Sequence, residues 1–502
     1  MISIIGFLRK RPMLILAVLI SVGIIIGFYS FFISVVFAAL CIALLFLINY
    51  KKQSGVLIFC GLWLLASTLT TAHSMNELER VSKFEAMTVS GEFIVISEPQ
   101  YNGECYTCEV EVLNSKLLEK GDKFEAVYGG SKIPFGQSFR ANVRLDSFGE
   151  SSIAKGYYAE NIYLRANLSN IVLTNNRDFV LESVKSVRDF ISNEIFANFE
   201  SEESATVLAL LTGDRSYISD QFYSNLKGAG VMHVMVVSGM HLSIIVAFAL
   251  KLVNKLLYNR FLRGTIIFIT VLCIAAVCGF TMSILRAGLT YVMFALALFF
   301  NRNASSDNCL GTAVAVILLL NPFAVFSLAF LLSVFSTFGV LCVALPIDKF
   351  LKDEKIIKSK LLAKLVSAVL ISFSALLTTL PITIIKFGYV SNMSIIANLL
   401  ISFATTVTIW LCLAGFILFP FREYIFAVAN LLVKYINAVI NWLGGFSFST
   451  TDLPAFATVI ILIVIFSIIF VMIACVNRSF VLKLKGVVNK KIKEGGGRLK
   501  WH

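Results

Sequence analysis

Residues 13–48 read MLILAVLISVGIIIGFYSFFISVVFAALCIALLFLI, without a single charged side chain. A run longer than about 18 apolar residues is typical of a membrane-spanning helix, because the backbone must satisfy its own hydrogen bonds in lipid. Residues 395–419 and 455–476 are similarly apolar. Over the whole chain 58% of residues are hydrophobic and 15% are charged, against about a quarter charged in soluble domains. The sequence therefore predicts a polytopic α-helical membrane protein.

Basic residues favour the cytoplasmic side of a membrane and so orient the predicted helices. Two basic blocks, residues 349–364 and the tail 477–502, contribute strongly to the net charge of +13 and flank predicted spans. Placing them inside predicts about twelve helices with both termini cytoplasmic. The basic N-terminal stretch lacks a small-residue cleavage site, so we expect it to be retained. The predicted spans are residues 13–29, 31–49, 55–72, 231–253, 264–281, 284–300, 309–321, 325–345, 365–381, 395–419, 425–443 and 455–476.

The segment from residue 74 to 172, after the third predicted helix, has a different pattern. Short β-rich runs alternate there with turn residues such as Gly121-Asp122 and Gly129-Gly130. Five short strands in about a hundred residues predict a small extracytoplasmic β-barrel that is OB-like. The predicted strands are residues 89–96, 108–113, 124–127, 138–144 and 162–168.

Residues 173–203 are predicted to form an amphipathic helix that lies flat in the outer membrane interface. One face of this helix carries aliphatic side chains at helical spacing, while the charged side chains lie elsewhere. The aliphatic positions are Val180, Val184, Val187, Ile191 and Ile195. The chain is thus divided into N-terminal helices (1–73), the barrel (74–172), the interfacial helix (173–203), a membrane channel domain (204–476) and a basic cytoplasmic tail (477–502).

Cys105 and Cys108 form a Cys-x-x-Cys pair in the predicted extracytoplasmic barrel. A disulfide is possible in an oxidising compartment. An idle thiol pair is the alternative. A thioredoxin-like redox site is not favoured, because no βαβ pattern surrounds the pair. A zinc site would need a second pair of ligands, and none is nearby.

The most informative stretch is residues 211–245, LTGDRSYISDQFYSNLKGAGVMHVMVVSGMHLSII. Ionisable residues at membrane depth are costly and usually face a water-filled path or a polar partner. Ser238 and His241 are three residues apart and share a helical face, where we expect them to lie side by side rather than aimed at each other. Gly239 permits close backbone approach or a break in the helix. The polar positions in this stretch are Asp214, Arg215, His233, Ser238 and His241.

The order Gly-Asp-Arg, Gly-x-x-His and Ser-Gly-x-His resembles the signature of the ComEC competence family, the DNA uptake channel of naturally transformable bacteria. Further elements resemble this family in the same order over residues 75–415. They are Met282-Ser283-Ile284-Leu285-Arg286-Ala287, Asn321-Pro322, Phe330-Leu331-Leu332-Ser333-Val334-Phe335, Leu380-Pro381, Phe387-Gly388 and Ala397-Asn398-Leu399-Leu400. Residues 148–163, with Lys155-Gly156-Tyr157-Tyr158, loosely resemble the end of the family's β-domain.

This resemblance implies that single-stranded transforming DNA crosses the inner membrane through an aqueous path in the chain. A buried Arg286 would neutralise a phosphate, and the neutral polar side chains would offer hydrogen bonds. The competing interpretation is that these polar residues only join packed helices. We expect no catalytic role, cofactor or metal in this chain. The channel residues that it implies are Asp214, Arg215, His233, Ser238, Gly239, His241, Arg286, Ser333 and Asn398.

Single-stranded DNA and membrane lipid are the expected partners, and the oligomeric state is left open. No Gly-x-x-x-x-Gly-Lys-Ser/Thr phosphate loop occurs in the sequence, so a separate cytoplasmic helicase or ATPase is the expected motor. The two basic blocks are candidate docking sites for that motor. Many relatives carry a metallo-β-lactamase-like nuclease domain, but no His-x-His-x-Asp-His cluster occurs here. We therefore expect a separate nuclease and a separate DNA receptor.

The predicted barrel has an unfavourable charge for a DNA receptor. Residues 74–170 contain ten Lys and Arg against fourteen Asp and Glu. Five tyrosines offer stacking surfaces for bases, but the excess of acidic groups opposes the approach of phosphate. We expect a gate or docking module rather than the receptor. The tyrosines are Tyr101, Tyr106, Tyr128, Tyr157 and Tyr158.

Two other classes of function compete with the channel. A small-molecule or ion transporter fits the number of helices, but no inverted repeat is visible and an inserted β-domain is atypical. An intramembrane hydrolase is suggested by Ser238 and His241, but it needs a base aimed at the serine and an orienting acid. No acid lies in the same predicted span.

Overall fold

The structure is a computed structural model that describes residues 12–29, 54–101, 103–148, 154–174, 178–254, 259–353 and 359–452. The predicted spans 31–49 and 455–476 and the basic tail 477–502 lie outside these residues. The N-terminal part consists of helix α1 (Pro12–Tyr29) and helix α2 (Ser54–Ser82). Both pack on the later helical part of the chain: buried side chains of α1 such as Ile20 and Ile24 share a core with Leu310 and Leu318.

A closed five-stranded barrel follows. Its elements are β1 (Thr88–Val95), the two-residue β2 (Gln100–Tyr101), β3 (Tyr106–Ser115), β4 (Lys123–Tyr128), β5 (Ser138–Ser147), helix α3 (Ala154–Tyr158) and β6 (Ile162–Leu173). The strand order is β1-β5-β6-β4-β3, and β1 also pairs with β3 and closes the sheet. Only β4 and β6 run parallel, and the other pairs are antiparallel.

The barrel confirms the predicted β-domain, since each of the five predicted runs falls on one of the five long strands. Alternate residues of these strands point inward because successive side chains alternate across a sheet. Phe93, Phe124 and Phe139 are fully buried in the resulting core. A small closed barrel filled by side chains is the architecture of the OB-fold. The barrel therefore has a packed interior rather than a pore.

Three helices lead from the barrel to the apolar part of the chain: α4 (Phe179–Asn198), α5 (Ser201–Leu211) and α6 (Asp220–Ala229). Asp178 caps α4, with its carboxylate accepting from the backbone N–H groups of Val180 and Leu181. A helix therefore lies within the segment predicted to be amphipathic, and its position in the membrane interface stays a prediction. Most of α5 is buried, and its Thr206 Oγ1 donates to Asn437 Oδ1 at 2.8 Å.

The remaining helices carry most of the apolar sequence. They are α7 (Gly239–Asn254), α8 (Arg260–Cys278), α9 (Met282–Phe299), α10 (Ser306–Leu320), α11 (Leu328–Asp353), α12 (Lys360–Phe387), α13 (Ser394–Ile417) and α14 (Arg422–Gly444). A short ladder pairs β7 (Tyr389–Ser391) with β8 (Thr450–Asp452). Among the described residues, six helices are long and apolar enough to cross a membrane: α8, α9, α11, α12, α13 and α14 with its preceding turn. The chain is thus a membrane protein, and the predicted number of twelve helices stays a prediction.

One predicted span begins in the wrong place. The sequence predicts a helix over residues 231–253, but α7 begins at Gly239, after a loop with a 3₁₀ turn at Met232–Val234. Gly230 ends α6 in the left-handed region, with φ of 70°. A Cβ at Gly230 would also lie 2.5 Å from Ser391 Oγ, so only glycine fits. Apolar residues such as Val231 and Met235 are buried in this loop, which explains why the segment resembles a span.

Candidate functional site

The beginning of α7 is shaped by Ser238 and His241. The backbone N–H of Ser238 donates to His241 Nδ1 at 3.3 Å, and Ser238 Oγ lies 3.1 Å from the same nitrogen. Ser238 Oγ also accepts from the backbone N–H of Met240 at 3.3 Å. The expectation that the two side chains lie side by side is wrong. Ser238 precedes the helix, and a residue in that position turns its side chain back over the first turn.

His241 is fully buried, and its Nε2 has no hydrogen-bond partner among the described residues. Because the backbone N–H of Ser238 can only donate, Nδ1 accepts and the neutral ring carries its proton on Nε2. Within the part of the chain that the structure describes, no carboxylate orients it as in a catalytic triad.

Arg286 lies on α9 opposite this first turn and is 6% exposed. Its Nη2 donates to Ser333 Oγ at 2.7 Å, and its Nε donates to the same oxygen at 3.1 Å. None of the ion pairs formed by the described residues includes Arg286. Its buried charge is therefore matched by a hydroxyl rather than by a carboxylate, which is unusual because burying a charge is costly.

Gly239 allows α7 to approach this arginine. A Cβ at Gly239 would lie 2.6 Å from Arg286 Nη2 and 3.1 Å from the Cβ of Ala287. Any side chain here would have to displace the guanidinium group. The structure therefore brings five of the predicted channel residues into one cluster, contributed by α7 with the residue before it, α9 and α11. We call this the arginine cluster: Ser238, Gly239, His241, Arg286 and Ser333.

His233 and Asn398 form a second polar group beside the first. The two side chains lie close to each other, and His233 lies within electrostatic range of His241. Asn398 Nδ2 donates to Ser372 Oγ at 2.9 Å, and Asn398 Oδ1 accepts from Ser402 Oγ at 3.1 Å. The side chain of His233 is exposed.

Asp214 and Arg215 do not join either group. They lie in the loop after α5, where Asp214 Oδ1 accepts from the backbone N–H and hydroxyl of Ser216 at 2.9 and 2.7 Å. Asp214 acts electrostatically on Lys132 of the barrel, and Arg215 is exposed. This loop faces the barrel, so a role for the two residues in the channel stays a prediction.

The sequence reading missed Ser372 and Ser402, which complete the polar surroundings of Asn398. Both are hydroxyl residues inside long apolar helices, and that is the signal that could have revealed them. It also left Asn321 without a role. Asn321 Nδ2 donates to the carbonyl of Ala159 at 2.7 Å and to Asn161 Oδ1 at 3.0 Å, and so joins the barrel to the turn before α11.

Arg188 makes a second junction between barrel and membrane helices. From α4 it donates to the carbonyl of Val277, near the end of α8, at 2.7 Å. Its guanidinium group also lies 4.8 Å from the ring centroid of Phe135 and 4.0 Å from Glu98 Oε2, both in the barrel segment. A charged side chain with three such contacts fixes the barrel relative to α8.

The barrel tyrosines are mostly engaged within the protein. Tyr128 is buried and stacks on Tyr106, with 5.6 Å between ring centroids. Tyr157 donates to Glu125 Oε1 at 2.7 Å and stacks on Phe148, and Tyr158 packs edge-on against Phe323 at the membrane junction. These four are not free platforms for bases, and the side chain of Tyr101 lies outside what the structure describes.

Two ionisable groups of the barrel are shifted by burial. Burial and the neighbouring Glu109 raise the pKa of Glu160 to about 7, against the opposing effect of Lys123. Burial raises the pKa of Cys108 to about 12. Cys105 and Cys108 do not form a disulfide with each other in the structure, so the disulfide stays a prediction. In the described ranges no group of three His, Cys, Asp or Glu side chains is arranged to hold a metal ion.

Comparisons with known proteins give a consistent result. Residues 210–478, more than half of the chain, match the family described as Competence protein. The chain is 21% identical over 425 residues to ComE operon protein 3 of Bacillus subtilis (strain 168). That alignment covers 81% of the chain and 53% of the relative, so the chain spans about half the length of the curated relative. No solved structure matches the chain. All nine predicted channel residues lie within the family match.

Proposed function

Because the chain belongs to the competence protein family, we propose that it is the inner-membrane channel through which single-stranded transforming DNA reaches the cytoplasm. Residues 204–476 would form the channel domain. The N-terminal helices (1–73) support it, and the tail (477–502) lies on the cytoplasmic side. The barrel (74–172) and the segment 173–203 would lie outside. The proposal is supported by the family match, by six helices among the described residues that are apolar enough to span a membrane, and by polar residues grouped among them.

The observation that carries the proposal is the environment of Arg286. A buried arginine that meets a hydroxyl instead of a carboxylate keeps its positive charge available to a passing anion. The surrounding side chains of Ser333, Ser238 and His241 are neutral hydrogen-bonding groups. A conducting path requires attraction that is sufficient for binding but weak enough for release. One cation among neutral polar groups meets both requirements.

The polar group at His233 extends this polar surface beyond the arginine cluster. His233 and Asn398 add neutral hydrogen-bonding groups beside His241, with Ser372 and Ser402 behind them. Polar side chains that serve only to join helices are expected to be enclosed between them. The exposure of His233 favours a wetted surface instead.

The barrel is proposed as a gate or docking module. Four of its tyrosines are used in internal contacts, and its excess of acidic residues repels phosphate. Its junctions with the membrane helices at Asn321 and Arg188 would hold it over the channel domain. A separate protein would then capture DNA outside. A cytoplasmic helicase or ATPase would drive translocation, and a separate nuclease would degrade the second strand.

Uptake of labelled DNA into the cytoplasm tests the channel in transformable cells that depend on this chain. Cells carrying Arg286→Ala are compared with cells carrying Arg302→Ala, an exposed arginine just beyond the same helix. Membrane insertion of both variants is verified first. The proposal expects Arg286→Ala to block import while surface binding of DNA and the control stay normal. Unchanged import in cells that lack the whole chain would overturn the proposal.

A hydrolase is the second candidate, because Ser238 Oγ and His241 Nδ1 are within 3.1 Å. Nucleophilic catalysis also needs a group that orients the histidine. No carboxylate among the described residues fills that role at His241 Nε2. We therefore propose that the chain is not an enzyme, and the serine-directed test below separates the two functions.

A further inference from the structure

Two positively polarised groups face each other in the arginine cluster. Helix α7 begins at Gly239, and the N-terminus of a helix carries a partial positive charge with backbone N–H groups that lack intrahelical acceptors. Ser238 Oγ accepts only one of these N–H groups, that of Met240. The guanidinium group of Arg286 lies directly against Gly239, since a Cβ at Gly239 would be only 2.6 Å from Arg286 Nη2. Each group on its own attracts an anion.

The arginine retains donors for such an anion. Its hydrogen bonds from Nε and Nη2 both end on Ser333 Oγ, which leaves Nη1 without a partner among the described residues. A guanidinium group has five N–H donors in a planar fork and binds carboxylate or phosphate in a bidentate manner. The cluster supplies no carboxylate of its own. An uncompensated cation beside a helix N-terminus at 6% exposure is electrostatically unfavourable unless an anion binds there.

We propose that Arg286 and the N-terminus of α7 form one anion site that takes a single backbone phosphate of a DNA strand. Arg286 holds one side of the phosphate, and the free N–H groups of the first turn hold the other. Gly239 allows the two positive groups to lie close together, because any side chain there would separate them. Ser333 positions Arg286 through its hydroxyl. The identity of the ligand as nucleic acid rests on the proposed function, whereas the anion site does not.

The site is tested by calorimetric titration of the purified full chain in a phosphate-free maltoside detergent. The probes are inorganic phosphate, a short oligothymidylate, and the same oligomer with an uncharged methylphosphonate backbone. We expect phosphate and the charged oligomer to bind and the uncharged oligomer to bind at least about tenfold more weakly. In a separate titration, an anionic phospholipid is added to the complex of the chain with oligothymidylate. We expect the lipid not to displace the oligomer. Displacement by the lipid would overturn the assignment to nucleic acid.

Two variants locate the binding in the cluster. Arg286→Gln removes the charge, and Gly239→Ala inserts a methyl group 2.6 Å from Nη2. Both are expected to weaken phosphate binding about tenfold or more. The matched controls are Arg302→Gln and Gly288→Ala. Gly288 lies on α9, and a Cβ there would meet only a side-chain carbon of Val271, at 3.0 Å. If Gly239→Ala does not fold, Arg286→Lys is the second variant. It keeps the positive charge but lacks the planar guanidinium group, so it tests whether bidentate binding is needed.

The outcomes separate this site from the channel. Equal phosphate binding by the wild type, Arg286→Gln and Arg286→Lys would overturn the site even if Arg286 proved essential for import. Binding that is lost in Arg286→Gln, combined with normal import in cells lacking the chain, would establish the site and overturn the proposed channel.

Discussion

Arg286 and Ser333 are 47 positions apart in the sequence, yet Nη2 of the arginine lies 2.7 Å from the hydroxyl oxygen of the serine. The contact joins α9 to α11 and ends on a neutral oxygen. A serine holds the arginine in position without cancelling its charge. The same pair therefore supports both the packing of two helices and the availability of a cation for phosphate.

The variant Ser333→Ala separates these two effects. It removes the only acceptor that the described residues give Arg286, so we expect the free energy of unfolding to fall by about 1–3 kcal/mol. DNA import is expected to fall less than in Arg286→Ala, because the charge remains. Thermal unfolding in detergent and labelled-DNA import are the measurements. Ser336→Ala is the control on the same helix, since that hydroxyl bonds only a backbone carbonyl of its own helix. Equal import in Ser333→Ala and wild type would remove the positioning role of Ser333.

The variant Asn321→Ala tests the junction between barrel and membrane helices. The amide of Asn321 bonds the carbonyl of Ala159 and the side chain of Asn161, and it also caps the following turn at Phe323. We expect faster hydrogen exchange in residues 154–161 without unfolding of the barrel strands. Asn167→Ala is the control, because its bond to Asp146 lies at the barrel surface. Unchanged exchange in residues 154–161 would show that other contacts hold the barrel.

The pKa of Glu160 predicts how stability depends on pH. Burial raises this pKa from an ordinary 4.5 to about 7, with Glu109 acting in the same direction and Lys123 against it. Between these two values the folded chain binds more protons at Glu160 than the unfolded chain does. Stability from this group is therefore full below about pH 4.5 and is lost as the pH rises towards 7. Thermal unfolding of the full chain across this range measures the effect. Glu160→Gln should flatten the dependence of the unfolding temperature on pH, and Glu92→Gln should leave that dependence as it is. A slope that Glu160→Gln leaves intact would assign the proton to another group.

The contact between Ser238 and His241 predicts a negative result with serine-directed reagents. Without an orienting acid at His241 among the described residues, we expect no covalent labelling of Ser238 by a fluorophosphonate. Mass spectrometry of the purified chain is the measurement, with Ser238→Ala as the comparison. Stoichiometric labelling that disappears in Ser238→Ala would favour the hydrolase over the channel.

Much of the local structure could be predicted because it depends on short patterns. Alternation and turn residues placed all five long strands of the barrel, and the amphipathic period placed α4. The boundary at residue 231 was wrong because Val231, Val234 and Met235 are buried in a loop. Apolar residues at this position satisfy a hydropathy pattern for a span, although the left-handed Gly230 and the cap at Ser238 interrupt the helix. Hydropathy reports burial and not backbone conformation.

The candidate site could be predicted in part. The motifs named all five members of the arginine cluster, but they did not show that Ser238 aims at His241 or that Arg286 lacks a carboxylate among the described residues. They also grouped Asp214 and Arg215 with the cluster, whereas the structure places them in a loop towards the barrel. Helix α6 and the loop that follows it separate Asp214 and Arg215 from Ser238.

By itself the sequence determined the membrane class, the inserted barrel and the family, because these depend on composition, local periodicity and the order of motifs. Only the tertiary structure decided that Gly239 lies against Arg286, that Ser333 is its partner, and that Asn321 holds the barrel. Each of these is a contact between residues far apart in the chain. Helix packing sets such contacts to within an ångström, and no single segment of sequence contains the geometry of its neighbours.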